Sequence, residues 1–542
     1  MCGIICLIQF GGRSIDQVQA LKCLSQLDAR GPDRQSHCVV NSGEQVQIFF
    51  GFARLAIMDK SDAGLQPFTN QLGNVVVCNG EIYNYTQLAQ KYDIEMKTTC
   101  DCEILLPLYQ KNGFETMIRQ NLDAEFATIL YDRNKSIIYA ARDRYGVRPL
   151  YFGYHSEKQL FGFASELKAL HSVMSYVSQV RPNDLMTVDL TNCDLLASLS
   201  MSPYYDYGHL IPNPDLSDRL FIQTKIKELL TTAVAKRLYA DRPIGFLLSG
   251  GLDSSLIVAI ATKILGPEKI VCFSTGVEGS PDVEAAKEVV KYLGIKNHHI
   301  VPFSVTQGLS ELPNVIRTIE TYDITTIRAS TPQHLLAKYI SQETEIKVLL
   351  SGEGSDEIHG SYRYFRDAPD ANQFHKETVR LLSELYLFDN KRTDRTMAGH
   401  GLEVRVPFLD FDYVEFIMRI DPELLMYRPD HMEKQIVRDS FKGYLPDKIL
   451  YRSKEAFSDA VSNDHLNWAQ TIQQVADQEI SDAELYQIEY SYNSPKTKDA
   501  LYFRRIFDQI YPGRDALIPH YWLPKFQVEE ILDPSARVLK CY

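Results

Sequence analysis

The second residue of the chain is a cysteine, and a glycine follows it. Removal of Met1, which the small Cys2 side chain and Gly3 favour, would give Cys2 a free α-amino group with an ordinary pKa of about 7.7–8.0. An amine that titrates near neutrality, within one residue's reach of its own thiol, can act as the general base that activates it. The competing reading is a small apolar residue in an edge strand, buried as cysteines commonly are. A second reactive segment is Ser249-Gly250-Gly251-Leu252-Asp253-Ser254-Ser255. Between a strand and a helix, such a turn offers backbone N–H groups and the positive end of a helix dipole, a cradle for an anion. No Gly-Lys-Ser/Thr ending follows, which argues against a Walker A loop. Ser351-Gly352-Glu353-Gly354-Ser355-Asp356-Glu357 repeats the arrangement after another apolar triplet, with more acid in it. His298-His299 supplies no metal site, because adjacent strand residues point to opposite faces.

The elements that must position these groups fall into two patterns. In the first 200 residues, short apolar segments alternate with Gly/Asp/Asn turns. Residues 2–10, 46–50, 75–78, 126–131, 136–140, 150–154 and 160–164 predict strands, and residues 15–27 and 101–112 predict helices. The first helix rests on Ile15, Val18, Leu21 and Leu24, spaced every third residue. This is an α+β domain dominated by sheet. Pro203, Pro212 and Pro214 mark an exit linker, giving domain bounds of 1–203, a linker at 204–216, and 217–542. Beyond it, residues 220–238 place Ile222, Ile226, Leu229, Leu230, Ala233 and Val234 on one helical face. Strands at 244–248, 270–274 and 348–350 then alternate with helices at 254–265 and 283–293. That alternation predicts an α/β doubly wound, mostly parallel sheet with ligands at the carboxyl ends of its strands, and the last 150 residues read as mainly helical.

Composition narrows the functional classes. The 542 residues are 45% hydrophobic and 23% charged, which excludes disordered, collagenous and disulfide-stapled chains. The 57 basic and 70 acidic residues give a net charge of −13, against the footprint of a nucleic-acid binder. Ten cysteines show no C-x-x-C pair and no repeating spacing, so neither a zinc ribbon nor a disulfide framework is indicated. No run of ~18 apolar residues occurs, and no basic residue precedes Arg13. The expectation is a cytoplasmic, reduced protein acting on small molecules, with no nucleic-acid or membrane partner. Its oligomeric state is open, a homodimer among the options.

The ordered set Arg30-Gly31-Pro32-Asp33, Arg54-Leu55-Ala56-Ile57-Met58-Asp59, Asn79-Gly80-Glu81-Ile82-Tyr83-Asn84, Asp101-Cys102-Glu103 and Arg142 to Tyr151 resembles the class II glutamine amidotransferases over the first 170 residues. The resemblance implies an N-terminal nucleophile hydrolase-type sandwich in which Cys2 attacks the glutamine side-chain amide. It implies that Asn79 and the backbone N–H of Gly80 form the oxyanion hole, each such donor being worth about 10²–10³ in rate. Glutamine binding falls by the same likeness to Arg54 (α-carboxylate), to Glu81 and Asp101 (α-ammonium), and to Ile57, Met58, Asn79 and Gly80. Ala29 stands where the family commonly has His, and Phe52-Ala53 replaces His-Glu ahead of Arg54. Neither supplies the nucleophile or an oxyanion donor, so altered packing rather than lost chemistry is expected.

The second half resembles the synthetase domain of the glutamine-hydrolysing asparagine synthetases, and its Gly-rich loop the PP-motif of ATP pyrophosphatases. The likeness also runs through Thr321 to Thr331, Gly401 to Asp410 and Lys454 to Asp459. It implies ATP contacts at Leu248, Ser249, Gly250, Gly251, Leu252, Asp253, Ser254, Ser255, Val277, Ser351, Gly352 and Lys454. Asp253 and Asp356 would hold Mg²⁺ on the departing pyrophosphate, since hard oxygen ligands suit that ion. Glu353 would deprotonate attacking ammonia, while Thr325, Thr326, Arg328, Asp389 and Arg392 would receive aspartate. His359 and Ser361 replace an aromatic and a glycine usual after Ser-Asp-Glu. The implied reaction is ATP-dependent synthesis of asparagine from aspartate and glutamine through β-aspartyl-AMP, giving glutamate, AMP and pyrophosphate. Ammonia would then need an apolar route out of bulk water. The alternatives are an amidotransferase acting on another carboxylate and a catalytically inactive glutamine-binding scaffold.

Overall fold

The computed structural model describes residues 1–192, 194–428, 431–453, 467–487, 489–527 and 531–534. The chain forms two compact units: Met1–Asp206 with Ala240–Arg242 and Ala398–Glu403, and Tyr207–Tyr239 with Pro243–Met397 and Val404–Tyr542.

The first unit is built on two six-stranded sheets. One runs in the spatial order Tyr176–Gln179, Tyr151–His155, Leu160–Ala164, Gly3–Gln9, Val46–Arg54, Arg34–Ser42, and the other in the order Leu199–Pro203, Asp184–Asp189, Ile137–Arg142, Ala124–Asp132, Val75–Ile82, Phe68–Thr69. The pairings within both are antiparallel. Alternate residues of facing strands make one core: Ile4, Cys6 and Ile8 with Ile48, Phe50 and Phe52 from the first sheet, Val75, Val77, Ala127 and Ile129 from the second. Period-2 alternation explains that set. The other face of the second sheet carries Val76, Cys78 and Leu130 into a separate cluster with Leu105, Leu108 and Phe114. The expected sandwich is therefore present.

Two features depart from the sequence reading. The helix Gln17–Ser25 starts at Asp16, whose side chain accepts from the Gln19 N–H, and it buries Ala20, Cys23 and Leu24 while Val18 and Leu21 are 65% and 39% exposed. A three-residue stripe drifts by about 60° per step on a helix of 3.6 residues per turn, so Val18 and Leu21 rotate off the face that Leu24 occupies. The strands Arg34–Ser42 and Leu199–Pro203 were not legible because each lies at a sheet edge, largely solvated, with polar residues where alternation would otherwise show.

In the second unit a five-stranded sheet runs Asn297–Pro302, Val271–Gly276, Ile244–Leu247, Val348–Leu350, Glu403–Arg405. The pairings of the first four strands are parallel, with Ile244 opposite Val348 and Phe246 opposite Leu350. Successive connections leave Ile244–Leu247 in opposite directions, so a crevice opens beyond its carboxyl end. Both reactive loops emerge there, side by side. A Cβ on Gly352 would stand 2.7 Å from the Ser254 nitrogen, so the two backbones touch only because that residue is glycine. The helix Arg219–Lys236 buries Ile222, Ile226, Leu230, Ala233 and Val234, the stripe its sequence presents.

A tight backbone approach in the first unit involves Gly80, where an added Cβ would lie 2.2 Å from the Glu125 carbonyl oxygen of the neighbouring strand. Gly80→Ala is expected to destabilise the first unit by about 2 kcal/mol or more, since neither backbone can yield without breaking ladder bonds. Calorimetry should show one transition moving down in temperature while the second unit's transition stays in place.

Candidate active sites

Cys2 precedes the buried strand Gly3–Gln9, and its carbonyl accepts from Nε of Arg30 at 2.9 Å. Arg30 in turn meets Glu166 at 2.7 Å, both side chains almost wholly buried. The Cys2 Sγ lies 3.6 Å from the Leu55 carbonyl. Burial pushes its thiol up to about 11, and the same burial pushes the Met1 ammonium down to about 6. Met1 itself is fully enclosed, its amino group 3.4 Å from the Leu402 carbonyl and its thioether against Arg148.

Asn79, Gly80 and Glu81 share the strand Val75–Ile82. Asn79 is fully buried, yet neither its amide oxygen nor its amide nitrogen has a hydrogen-bond partner among the described residues. A buried amide left without partners calls for an explanation, and a polar ligand that it meets is one. Asp101 is latched to the same strand, its Oδ2 accepting from the Ile82 N–H at 2.7 Å. Arg54 is buried and donates to the carbonyls of Ser61 at 2.5 Å, Met58 at 3.5 Å and Asp59, which shapes the turn after Ile57 and Met58. Ala56 N–H donates to Asp33 at 2.8 Å. The Arg142–Tyr151 segment is scaffold: Asp143 accepts from the N–H groups of Tyr145, Val147 and Arg148, and Arg148 pairs with Glu125 at 2.9 Å.

The second unit holds a cavity at the crevice, lined by Leu248, Ser249, Gly251, Leu252, Asp253 and Ser254 of the first loop and by Ser351, Gly352, Glu353 and Asp356 of the second. Oδ1 of Asp253 and Oδ1 of Asp356 each lie 2.7 Å from Nζ of Lys434, which is buried. Ser355 donates to Asp253 at 2.7 Å and Ser361 to Asp356 at 2.5 Å. The serine that replaces glycine at 361 thus restrains a cation-facing carboxylate. His359 sits behind, between the Ser355 carbonyl at 2.7 Å and the Tyr413 hydroxyl at 3.1 Å, and burial drives its imidazole down to about 4. Across the cavity Arg392 reaches Glu353 at 2.7 Å and Asp389 at 2.6 Å. Burial holds Glu357 well above the usual carboxylate range, with Asp389 and Asp356 adding to it, and Tyr362 donates to that carboxyl group.

Several expected residues lie elsewhere. Thr325 lines the cavity with a buried hydroxyl that lacks a partner among the described residues, whereas Thr326 donates to Asp323 at 2.7 Å at the start of the helix Ile324–Glu343. Arg328 does not reach the cavity surface: its guanidinium is bound to Asp499 at 2.7 Å and Asp533 at 2.9 Å. Gly250, Ser255 and Val277 are also off the lining, Gly250 because it faces the helix Pro281–Leu293, where a Cβ would lie 2.6 Å from the Ala286 nitrogen. Lys454 lies outside the described residues. His298 and His299 bond to different partners, Ser274 at 2.8 Å and Tyr339 at 3.1 Å, in keeping with opposite faces of a strand. Sequence reasoning missed Lys434, Arg438, Arg452 and Gln333 on the lining. The nearest signal was the charged run Glu433-Lys434 before a short helix, which reads equally as a solvated surface.

Two structural halves with two reactive centres agree with comparisons to known proteins. Residues 1–200 match a glutamine amidotransferase domain, and residues 225–373 and 366–533 match asparagine synthase. A probable glutamine-hydrolysing asparagine synthetase of Acanthamoeba polyphaga mimivirus is 62% identical over 99% of this chain and its own full length. The glutamine-hydrolysing asparagine synthetases of Gallus gallus and Homo sapiens are 39% and 38% identical, each over 100% of this chain and 99% of theirs. Neither another acceptor carboxylate nor an inactive scaffold is favoured by relatives of that closeness. This chain belongs to the glutamine-hydrolysing asparagine synthetases, the ligases that make asparagine from aspartate and glutamine at the expense of ATP.

Proposed function

We propose that residues 1–203 hydrolyse glutamine, residues 204–216 link the units, and residues 217–542 activate aspartate and join ammonia to it. After loss of Met1, Cys2 attacks the glutamine amide. Asn79 and the Gly80 N–H donate to the oxyanion, Arg54 holds the α-carboxylate, and Glu81 and Asp101 hold the α-ammonium, with Ile57 and Met58 beside them. The unpartnered Asn79 amide supports this reading.

In the second unit the Gly-rich loop, with Val277, Ser351, Gly352 and Lys454, takes ATP. One observation carries the metal assignment: Asp253 and Asp356 already share a cation, the Lys434 ammonium at 2.7 Å from each. Two carboxylates converging on one positive centre fit Mg²⁺, which when bound neutralises the departing pyrophosphate. Glu353, held by Arg392, takes the proton that ammonia loses on attacking the β-aspartyl carbon. Asp389, Arg392, Thr325, Thr326 and Arg328 serve aspartate. No helix among the described residues is long and apolar enough to cross a membrane, and we assign the enzyme to the cytoplasm, with a homodimer as the assembly to test by sedimentation.

Three outcomes are expected. Cys2→Ala should abolish glutamine-driven synthesis and keep ammonia-driven synthesis; equal loss of both would defeat the division of labour. Glu353→Gln should block asparagine formation while sparing aspartate-dependent exchange of labelled pyrophosphate into ATP, which Asp253→Asn should abolish. If Glu353→Gln abolishes exchange equally, the glutamate belongs to ATP or metal binding. Lys434→Met removes the cation that Asp253 and Asp356 share, a loss of about 3–5 kcal/mol for a broken buried pair. Its melting temperature should fall in Mg²⁺-free buffer and rise more on adding Mg²⁺ than that of the native protein, and an equal rise in both would remove the shared cation position.

A further inference from the structure

A carboxylate already sits on Arg328. Nη1 donates to Oδ1 of Asp533 at 2.9 Å and Nη2 to its Oδ2 at 3.3 Å, a two-pronged contact, and Nε2 of Gln473 donates to the same Oδ2 at 2.6 Å. Nη2 also meets Asp499 at 2.7 Å. One guanidinium therefore faces two carboxylates.

The two partners differ in kind. Asp499 is buried in the first turn of the helix Lys498–Ile510 and accepts from the Thr497 hydroxyl at 2.6 Å. The Asp533 side chain keeps 21% of its exposure and lies on a non-helical segment. Asp499 is the enclosed partner, and Asp533 is the more exposed one. The chain leading towards Asp533 is anchored independently of Arg328, since the Trp522 N–H donates to Asp323 at 2.8 Å and the Tyr322 hydroxyl to the carbonyls of Asp515 and Ile518. Release of Asp533 therefore leaves those anchors intact.

The contact also lies at the wall of the synthetase cavity. Ala329 and Pro534, the chain neighbours of Arg328 and Asp533, both line it, as does Thr325 one helical turn away with its unpartnered hydroxyl. We infer that Asp533 is an internal stand-in for substrate: Arg328 and Gln473 form a carboxylate subsite, the Asp533 carboxylate fills it, and aspartate binds by displacing that carboxylate. The inference rests on the reading of Arg328 as an aspartate contact. It explains why Arg328 is enclosed, and it gives Gln473 a part in aspartate recognition.

A tethered competitor lowers apparent affinity by the fraction of molecules in which the subsite is open; if that fraction is about one-tenth, removing the competitor strengthens binding about tenfold. The test uses the full-length protein. Trp468 and Trp522 are its only tryptophans; Trp468 donates to the Arg328 carbonyl at 3.0 Å and Trp522 lines the cavity, so intrinsic fluorescence reports aspartate binding. Asp533→Asn and Asp533→Ala should each lower the dissociation constant for aspartate, and lower KM for aspartate in ammonia-driven synthesis, by about threefold to tenfold. Gln473→Ala and Arg328→Ala should raise both. If Asp533 only braces Arg328, its variants will instead weaken aspartate binding, and the inference is overturned. Unchanged affinity in the Asp533 variants with weakened affinity in Arg328→Ala overturns the stand-in while leaving Arg328 in the substrate site. Unchanged affinity in Arg328→Ala overturns the reading of Arg328 and the inference with it. Melting temperatures within a few degrees of the native protein exclude general loss of fold as the cause of weakened binding.

Discussion

The Lys434 ammonium, buried between Asp253 and Asp356, shows the constraint on which both units depend: a charge taken out of water must be met by its opposite at close range. The same rule recurs where no chemistry is assigned. Arg30 meets Glu166, Arg148 meets Glu125, and Arg237 meets Asp410, each pair nearly devoid of solvent. These pairs join segments far apart in the chain. Arg30 holds the Cys2 carbonyl while anchored by Glu166, so the backbone of the proposed nucleophile is fixed by a contact that uses no atom of the thiol. In the second unit the paired groups are themselves the proposed reactive ones.

Steric close approach is the second determinant. Gly352 lets the acidic loop lie against the backbone of Asp253 and Ser254, and the parallel register of Phe246 with Leu350 delivers both loops to the same end of the sheet. Without that contact the two aspartates could not address one cation. The hydroxyl at 361 adds a restraint on Asp356 that a glycine would lack.

Much of this was legible in the sequence because it depends on local patterns. The strands Leu160–Ala164 and Val348–Leu350 match their predicted limits, and the helices Leu252–Leu265 and Pro281–Leu293 begin only two residues early, since apolar runs bounded by Gly and Pro leave little freedom. Edge strands with polar sequences were not legible. Within the sites, residues on the two Gly-rich turns could be placed by order alone, but Lys434, far along the chain in a loop with φ of +56°, becomes part of the site only through the fold. Arg328 illustrates the converse. Resemblance assigned it to the substrate aspartate, and sequence could not say that the chain's own Asp499 and Asp533 would sit on its guanidinium.

Burial at the amino terminus acts on acid and base in opposite directions. It makes the Cys2 thiol harder to ionise, up to about 11, and makes the terminal amine easier to deprotonate, down to about 6. At neutral pH the chain that retains Met1 therefore has a protonated thiol and a neutral amine, but that amine belongs to Met1 and faces the Leu402 carbonyl. Cleavage would place a free amine on Cys2 itself, one residue closer to the sulfur. Free thiolate would still be disfavoured in so dry a site. The proton would then leave sulfur for nitrogen as attack proceeds, with the developing negative charge passing to the oxyanion donors instead of resting on sulfur. On this account the burial that holds the thiol protonated would also favour the neutral form of an amine placed on Cys2, and with it the proposed use of that amine as the base towards glutamine.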